Sequence, residues 1–442
     1  MDSKVASKKQ VKQPWLHAIS VAGYKSIQNE QSIEIRPLTI LAGANSGGKS
    51  SIMQPVLLLK QTLDAPYDPG SLLLDGPNVR LTSANQLLSK KSKSRGPKEF
   101  SIKFDMGNRK VEVRFRQVPR QGLEVFSTTV SDEKTELVIS KDADLERIKS
   151  TLKDSGLSRW PKDLYERGEI KVVRDRSFLA IELLLEKENI SFPILHPGER
   201  LASRIASLIH VPGLRGNPER NYKTTAVGDT FPGTFENYVA SVINHWQISG
   251  DDRLTQLGTY LENLGLTWKV KAAQRDETQV ELKVGRLQHG SQGGAHDLVS
   301  IADVGFGVSQ TLPVLVALLA AQPGQLVYIE QPEIHLHPRA QRALSGIFAD
   351  AAKRGVIVIV ETHSALLIRG IQTLVAKDEL AQELVKLHWF QRDASGATSV
   401  KSADLDEAGA FGDDWPEDFD EVELSSDNEY LSAAEAKLFK RQ

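Results

Sequence analysis

The sequence predicts an α/β fold built on a parallel sheet. Downstream of Gly293, strand-like and helix-like apolar patterns alternate along the chain. This alternation is typical of parallel strands that are joined by helices. Earlier in the chain, a predicted buried strand over 38–42 and a predicted helix over 50–62 enclose a glycine-rich loop. The downstream elements are helix 309–321, strand 325–330, helix 338–353, strand 355–360 and helix 364–372.

Four regions of the chain differ in composition and pattern. Residues 1–142 hold a predicted hairpin, the glycine-rich loop and, between 100 and 140, strands with period-two alternation. Residues 143–265 are predicted to be a mainly helical insert. Residues 266–400 return to strands and to the α/β alternation, and residues 401–442 form an acidic tail that is poor in apolar residues.

Composition restricts the classes of protein to which the chain can belong. The 442 residues are 40% hydrophobic and 25% charged with a net charge of −2, which is ordinary for a globular protein and indicates no particular partner. No cysteine is present, which excludes disulfides and thiolate metal sites. The longest apolar run, 311–321, is shorter than the about 18 residues that a membrane span needs. The basic N-terminus lacks the apolar segment of a secretory signal, so we expect a cytoplasmic protein with no membrane partner.

The segment GANSGGKS, residues 43–50, matches the G-x-x-x-x-G-K-[ST] pattern of a phosphate-binding loop. It lies between a predicted strand and a predicted helix, which is the context that the pattern requires. Glycines let the backbone wrap around phosphates, and the helix N-terminus adds positive potential. Lys49 is expected to reach the β- and γ-phosphates of ATP and the Ser50 hydroxyl to bind Mg²⁺, for which Ser51 is a poorer candidate. The predicted ATP-binding residues of the loop are Gly43, Asn45, Ser46, Gly47, Gly48, Lys49, Ser50 and Ser51.

Two predicted buried strands end in ionisable side chains. The segment LVYIEQPEIHLHP (326–338) places Glu330 at a strand end, and ligands bind at the carboxyl ends of strands in open α/β sheets. A carboxylate there can hold Mg²⁺, often through water. The segment VIVIVETHSALL (356–367) ends in His363, which could hydrogen-bond a γ-phosphate. The alternatives are an acid that caps the next turn and a structural histidine.

A further candidate is the predicted helix start in DVGFGVSQTLPVLVALL, residues 303–319. Ser309 could cap a helix whose N-terminus faces an anion. Pro313 fits in the first turn of that helix, where a missing N–H costs little. The alternative is an ordinary capped core helix.

The order of these four motifs resembles the head of ABC-type ATPases. The phrases FGVSQ, IEQPEIHLHPRAQ and VETHS resemble the soluble, chromosome-associated branch, which includes RecF, the structural-maintenance-of-chromosomes proteins and the overcoming-lysogenisation-defect (OLD) ATPases. The match is nearest to the OLD-like AAA ATPases of bacterial and phage-defence loci. VPGLRGNPERNY and WPEDFDE resemble one subgroup. The resemblance implies an ABC-ATPase head, a P-loop NTPase with a mixed and parallel sheet, flanking helices and an inserted helical and β region.

The resemblance also implies roles for individual residues. Glu330 takes the place of the Walker B acid and His363 that of the switch histidine, while His337 falls where transporters carry the D-loop aspartate. Gln331 stands where most ABC heads carry the catalytic glutamate. Glutamine can orient water but cannot accept its proton, so Glu333 is an alternative base. The residues that would contact the γ-phosphate held by another subunit are Gly307, Val308, Ser309 and Gln310, and the glutamine-bearing loop could be formed by Gln54, Gln61 or Gln86.

Several functions are compatible with these motifs. The first is an ATPase that dimerises with ATP and acts as a DNA- or RNA-associated sensor or clamp, or licenses a separate effector such as a nuclease, in anti-phage defence or DNA maintenance. The second is a nucleotide-gated scaffold in which Gln331 keeps ATP bound with little turnover. A transporter subunit is disfavoured because Leu-Ser-Gly-Gly-Gln is absent at the signature position. We expect no nuclease domain of the OLD type within residues 364–442, because that stretch is too short for one.

Two charged segments allow further interpretations. SKKSKSRGPK (89–98) concentrates positive charge and could bind a polyanion, although a solvated loop is the alternative. The acidic residues after Phe411 could form a metal site, but a solvated or partner-facing tail is favoured. The basic residues are Lys90, Lys91, Lys93, Arg95 and Lys98, and the acidic ones are Asp413, Asp414, Glu417, Asp418, Asp420, Glu421 and Glu423.

Overall fold

A computed structural model gives the fold of most of the chain. The basic residues 90–98 and the acidic residues 413–423 lie outside the part that it describes. The described residues are 13–89, 99–119, 122–154, 168–185, 190–287, 297–412 and 431–432.

The helices and strands of the described residues follow one another in a mixed order. The helices are α1 (Lys49–Asp64), α2 (Leu145–Asp154), α3 (Glu199–Ala206), α4 (Val239–Ser249), α5 (Arg253–Asn263), α6 (Phe306–Ala320), α7 (Pro338–Lys353) and α8 (Ala365–Ala376). The strands are β1 (Ala18–Ala22), β2 (Gln31–Glu34), β3 (Leu38–Gly43), β4 (Glu99–Asp105), β5 (Lys110–Val118), β6 (Gly122–Ser131), β7 (Glu136–Ser140), β8 (Glu169–Asp175), β9 (Phe178–Leu185), β10 (Ile190–Leu195), β11 (Ile209–Val211), β12 (Tyr222–Lys223), β13 (Val270–Gln274), β14 (Gln279–Gly285), β15 (Leu298–Ser300), β16 (Leu326–Glu330), β17 (Ile357–Glu361), β18 (Val385–Arg392) and β19 (Thr398–Ala403).

A six-stranded sheet with the order β11-β16-β17-β3-β18-β19 forms the centre of the protein. Its first five strands pair in parallel, and β19 is antiparallel to β18. The carboxyl ends of β16, β17 and β3 therefore meet at one edge. In this register Glu330 pairs with Glu361, and Glu361 pairs with Leu41, two residues before the glycine-rich loop begins.

Three antiparallel sheets accompany the central one. Their orders are β2-β1-β4-β5-β6-β7, β10-β9-β8, and β12-β14-β13 with β15 beside β14. The predicted α/β fold with parallel and antiparallel strands is confirmed. The prediction of a mainly helical region over 143–265 is wrong over 169–195, which forms β8 to β10, and at β11, which joins the central sheet. The domain boundaries themselves stay a prediction.

The central sheet is buried on both faces, which explains its continuous apolar runs. Val327 and Ile329 of β16 belong to one hydrophobic core, which also contains α6 and α7. Leu326 and Tyr328 of the same strand belong to a second core, which contains α1 and the six-stranded antiparallel sheet. Successive side chains of a strand point to opposite faces, so β16, like β17 and β3, contributes to both cores.

A buried ion pair ties α1 to the rest of the second core. Lys60 Nζ lies 3.0 Å from Asp64 Oδ2, and the Lys60 side chain is fully buried. The same amine donates to the carbonyl of Ala206, the last residue of α3, and Asp64 accepts a hydrogen bond from the Gly233 amide. Burial lowers the pKa of Lys60, and the nearby Asp64 carboxylate opposes that change. The position of α1 thus depends on a charge that has no access to water.

Replacing Asp64 tests this dependence. Asp64→Asn leaves the buried Lys60 ammonium without an anionic partner, and we expect a loss of about 3–5 kcal/mol in the free energy of unfolding. The measurement is urea unfolding followed by tryptophan fluorescence. Asp68→Asn is the matched control, because Asp68 is an exposed partner of Arg174 and its loss should change little. Equal urea midpoints for the two variants would contradict the assignment.

Candidate nucleotide-binding site

The loop between β3 and α1 has the backbone of a phosphate cradle. Gly43, Ser46 and Gly48 have positive φ angles of 139°, 62° and 103°. Glycine adopts such conformations easily, whereas the non-glycine residue Ser46 does so at a cost in free energy. Asn45 and Ser46 are exposed at the tip, whereas Ser51 is buried in the first turn of α1. The loop therefore presents backbone donors together with the N-terminus of α1.

Neighbouring strands give a second reason for the glycines. A Cβ on Gly43 would lie 2.2 Å from the Phe390 carbonyl oxygen, and one on Gly47 would lie 2.7 Å from the same atom. A Cβ on Gly48 would lie 2.3 Å from Thr398 Oγ1. Phe390 belongs to β18 and Thr398 begins β19. The loop therefore packs tightly against the two strands that lie on the opposite side of β3 from β17.

Lys49 lies under the loop rather than in solvent. Its Nζ donates to the Gly43 and Ala44 carbonyls, each at 2.9 Å, and its side chain is almost fully buried. Burial lowers the pKa of Lys49, and the negative charges of Glu361 and Glu333 oppose this. The ammonium therefore lies where its hydrogen bonds to the loop carbonyls can be replaced by hydrogen bonds to phosphate oxygens.

Ser50 contacts the carboxylate at the end of β17. Its hydroxyl donates to Glu361 Oε1 at 2.9 Å, and the Tyr328 hydroxyl donates to Glu361 Oε2 at 2.8 Å. Burial raises the pKa of Glu361, and the adjacent Glu330 raises it further, against the effects of Tyr328, Ser50 and Lys49. Both oxygens of this buried acid are engaged beside the phosphate loop.

Glu330, predicted as a metal ligand, is held by β11 and by the segment that follows it. His210 Nε2 lies 3.2 Å from Glu330 Oε1, and the Gly213 amide donates to Oε2 at 3.2 Å. The Asn78 amide nitrogen lies 3.0 Å from His210 Nδ1. Burial acts to raise the pKa of Glu330, but the hydrogen bonds from His210 and Gly213 carry it below its usual value.

Gln331 occupies a strained turn directly after Glu330. Its φ angle is +44°, a left-handed conformation that costs a non-glycine residue free energy. Its amide donates to the Glu361 carbonyl at 2.7 Å, and a Cβ on Gly213 would lie 3.5 Å from its Oε1. The turn therefore fixes the amide side chain beside Glu330 and Gly213.

Glu333 and His363 meet on the other side of this turn. The His363 backbone amide donates to Glu333 Oε1 at 2.7 Å. Glu333 is 8% exposed, and its Oε2 is buried without a hydrogen-bond partner. Burial lowers the pKa of His363, as does Lys49, while a hydrogen bond to Gly43 opposes them. Glu333 thus has one carboxylate oxygen without a hydrogen-bond partner near His363.

The helix that carries the predicted signature starts earlier than expected. Residue Phe306 begins α6 with Gly305 as the N-cap, so Ser309 does not cap it and its hydroxyl donates to the Phe306 carbonyl at 3.1 Å. Pro313 lies beyond the first turn. Gly307 lies near the loop around His335, where a Cβ would be 3.5 Å from the His335 carbonyl oxygen.

Arg215 joins this helix to the end of β16. It donates to the Glu330 carbonyl at 2.6 Å, to the Gln331 carbonyl at 3.1 Å and to the Gln310 carbonyl at 2.9 Å. Gln310 in return donates to the Arg215 and Gly216 carbonyls. Burial lowers the pKa of Arg215 to about 10. In the sequence, Arg215 is singled out only as part of the phrase VPGLRGNPERNY, and that phrase predicts no role for it.

The remaining candidates lie apart or have structural partners. Gln61 is buried and bonds the backbone of Leu73, Asn78 and Val79 with both ends of its amide. Gln86 accepts a hydrogen bond from the Thr82 amide at the surface. Gln54 accepts from Lys25 and Tyr24. His337 caps α7 through the Arg339 amide, so a D-loop role for it stays a prediction.

This geometry suits ATP with Mg²⁺. The glycine-rich backbone at the N-terminus of α1 and Lys49 fit phosphates, while Ser50, Glu330 and Glu361 supply the hard oxygen donors that Mg²⁺ prefers. A family model described as "AAA domain, putative AbiEii toxin, Type IV TA system" matches residues 38–369. The chain belongs to this AAA-domain family. Its AAA domain binds ATP, and the matched residues include the phosphate loop, α6 and both strand-end acids.

Solved structures with similar folds include heads of SMC proteins. The SMC head bound to the C-winged helix domain of ScpA is 13% identical and covers 89% of this chain and 99% of its own, with a TM-score of 0.45. The SMC head domain from Thermotoga maritima is 10% identical, covers 87% and 98%, and has a TM-score of 0.37. The Pyrococcus furiosus SMC head with an extended coiled coil, bound to the C-terminal domain of ScpA, is 11% identical. The match covers 88% of this chain and 96% of that structure's chain, with a TM-score of 0.42. No curated protein matches the chain. Among the described helices of the AAA domain, none is long and apolar enough to cross a membrane.

Lys49→Ala should abolish tight ATP binding, because it removes the ammonium that meets the phosphates. Isothermal titration with ATP and Mg²⁺ measures the effect. Lys353→Ala is the control, since Lys353 is exposed in the last turn of α7 and its loss should leave the affinity unchanged. An unchanged affinity in Lys49→Ala would contradict the assignment of the phosphate loop.

Proposed function

We propose that this AAA domain is an ATPase that dimerises when it binds ATP and hydrolyses the nucleotide slowly. The observation that carries the proposal is the arrangement around Gln331. A strained turn holds the side-chain amide of Gln331 at the position expected for the catalytic base. This amide lies beside Glu330, among the buried charged residues near the phosphate loop.

The chemistry can be assigned to individual side chains. Lys49 and the loop amides would bind the phosphates, and Ser50 with the strand-end carboxylates would hold Mg²⁺. When bound, the metal neutralises charge on the β- and γ-phosphates. Burial and the charge of Lys49 lower the pKa of His363 and favour its neutral ring. The neutral ring keeps one N–H, which would donate a hydrogen bond to the γ-phosphate.

The choice of base decides how fast hydrolysis runs. Gln331 can orient the attacking water but cannot take its proton. Glu361 is occupied by Ser50 and Tyr328, whereas Glu333 Oε2 has no partner. Glu333 is therefore the better substitute base. Its free oxygen is buried, so water reaches it only after a rearrangement, and this supports slow turnover.

Dimer formation is supported by the exposure of the start of α6. The Phe306 side chain is 50% exposed and Ser309 is partly exposed, although both lie next to the well-packed helix core. A second copy would place Ser309 against the γ-phosphate of the first. Binding at such a shared site stabilises the dimer by mass action.

A persistent ATP-bound dimer suits a sensor or clamp. We propose that it acts in the cytoplasm in defence or DNA maintenance, and that it associates with DNA or RNA or controls a separate effector such as a nuclease. The family description names a toxin of a two-component toxin–antitoxin system, which supports a second component. The alternative is a nucleotide-gated scaffold with little or no turnover, favoured by the absence of a glutamate at residue 331.

Steady-state ATPase rates test the role of Gln331. Gln331→Glu should hydrolyse ATP faster than the wild type by on the order of 100-fold, because a general base is restored. Glu333→Gln should abolish the slow wild-type rate while still accepting the His363 amide. Gln322→Glu adds the same charge at an exposed position outside the site and should change nothing.

Other outcomes would correct this proposal. A fast wild type that ignores Gln331→Glu and is silenced by Glu333→Gln would make Glu333 an efficient base. No measurable hydrolysis in the wild type and in Gln331→Glu would favour the scaffold.

Ser309→Arg should leave ATP binding by the monomer intact and block the ATP-dependent dimer, since a bulky cation would fill the shared site. Sedimentation with and without ATP measures this. Thr259→Arg is the matched control, because the Thr259 hydroxyl also donates within its own helix, in α5. A wild type that sediments identically with and without ATP would contradict gating by ATP.

A further inference from the structure

We propose that Arg215 is a positioning residue for ATP hydrolysis, because it holds the Gln331 turn in place and ties that turn to α6. The inference rests on the proposed function, since it concerns the rate at which bound ATP is hydrolysed. It makes this rate depend on the position of α6, the helix that carries Ser309.

Arg215 supplies contacts that keep Gln331 in its left-handed conformation. A φ angle of +44° at a non-glycine residue persists only where the surrounding structure imposes it. The Gln331 amide donates to the Glu361 carbonyl on the neighbouring strand. One terminal nitrogen of Arg215 donates to the carbonyls of both Glu330 and Gln331. The guanidinium therefore fixes the two peptide groups that flank the strained residue.

The same side chain connects the turn to α6. Its other terminal nitrogen donates to the Gln310 carbonyl at 2.9 Å. The Gln310 side chain in return donates to the carbonyls of Arg215 and Gly216, at 3.2 and 2.8 Å. Arg215 is only 5% exposed, so these bonds have little competition from water. Because Gln310 directly follows Ser309, a movement of this end of α6 displaces the groups that hold Arg215 and, with them, the Gln331 turn.

Arg215 also acts on the second candidate base, Glu333. Of the acids that attract the charge of Arg215, Glu333 has the strongest effect, ahead of Glu330 and Glu236. In the part of the chain that the structure describes, Arg215 Nε and Glu333 Oε2 are each buried without a hydrogen-bond partner. Such groups are costly to bury, so the positive charge of Arg215 helps to stabilise the Glu333 carboxylate. The guanidinium therefore affects hydrolysis whether Gln331 or Glu333 acts on the attacking water.

Arg215→Lys tests the inference, because it keeps the positive charge but loses the planar fork that reaches carbonyls in two elements. ATP affinity is measured by isothermal titration, and hydrolysis of bound ATP by a single-turnover assay with radiolabelled nucleotide. The variant should bind ATP as the wild type does and hydrolyse it about 10- to 100-fold more slowly, because the groups that act on water are misplaced. Arg354→Lys is the matched control and should change neither quantity. Arg354 also donates to a carbonyl of α6, that of Leu318, near the opposite end of the helix.

Hydrogen exchange followed by mass spectrometry shows whether the turn itself is released. Without nucleotide, the peptide that contains the Gln331 amide should exchange faster in Arg215→Lys than in the wild type, and at the wild-type rate in Arg354→Lys. Adding Gln331→Asn to Arg215→Lys should restore part of the protection, because asparagine adopts left-handed conformations more readily than glutamine. If Arg215→Lys does not fold, Gln310→Met takes its place in both measurements, with the same expected direction. It removes the hydrogen bonds to the Arg215 and Gly216 carbonyls while nearly keeping the size of the side chain.

The outcomes separate this inference from the proposed function. Wild-type hydrolysis in Arg215→Lys, a loss of rate that an equal loss of ATP affinity explains, or unchanged exchange at Gln331 overturns the inference alone. A wild-type protein that binds ATP but does not hydrolyse it rejects the proposed slow ATPase. Hydrogen exchange then decides by itself whether Arg215 holds the turn.

Discussion

The parallel pairing of β16, β17 and β3 is the constraint on which the candidate site depends. It brings two glutamates and the phosphate loop to one edge of a sheet that is buried on both faces. Acids in such a place must be hydrogen-bonded or lose their charge. Each therefore has partners from a different direction: Glu361 from α1 and from its own sheet, and Glu330 from β11 and the segment after it.

Strand β11 and the segment after it surround the acid at the end of β16 with a second layer of side chains and backbone. His210 and Gly213 hold the Glu330 side chain, and Arg215 holds the backbone of Glu330 and Gln331 while bonding Gln310 in α6. A shift of α6 would therefore be transmitted to the Gln331 turn through a single buried guanidinium. In the dimer that we propose, such a connection would let contact with a second copy reach the Gln331 turn without any change in the phosphate loop.

The buried charges of the site also balance one another. Lys49 faces Glu361 and Glu333, and Arg215 faces Glu333 and Glu330. Removing one member of a buried ionic group exposes the others to their full desolvation cost, so the site is sensitive to substitution and to the arrival of a triphosphate. Added phosphate charge would draw Lys49 from the loop carbonyls, which offers a physical route from nucleotide binding to rearrangement.

Local patterns in the sequence determined the phosphate loop, the helix after it, the buried strands that end at Glu330 and Glu361, and the α/β class. Each of these is encoded within about a dozen neighbouring residues by periodicity and glycine spacing. The three-residue β11 was too short to show a period, and β18 and β19 were not predicted. Only the tertiary structure decided that Ser50 meets Glu361, that His210 binds Glu330 and that Arg215 bridges to Gln310. Those contacts join residues 95 to 311 positions apart, and strand order, which no local pattern encodes, brings them together.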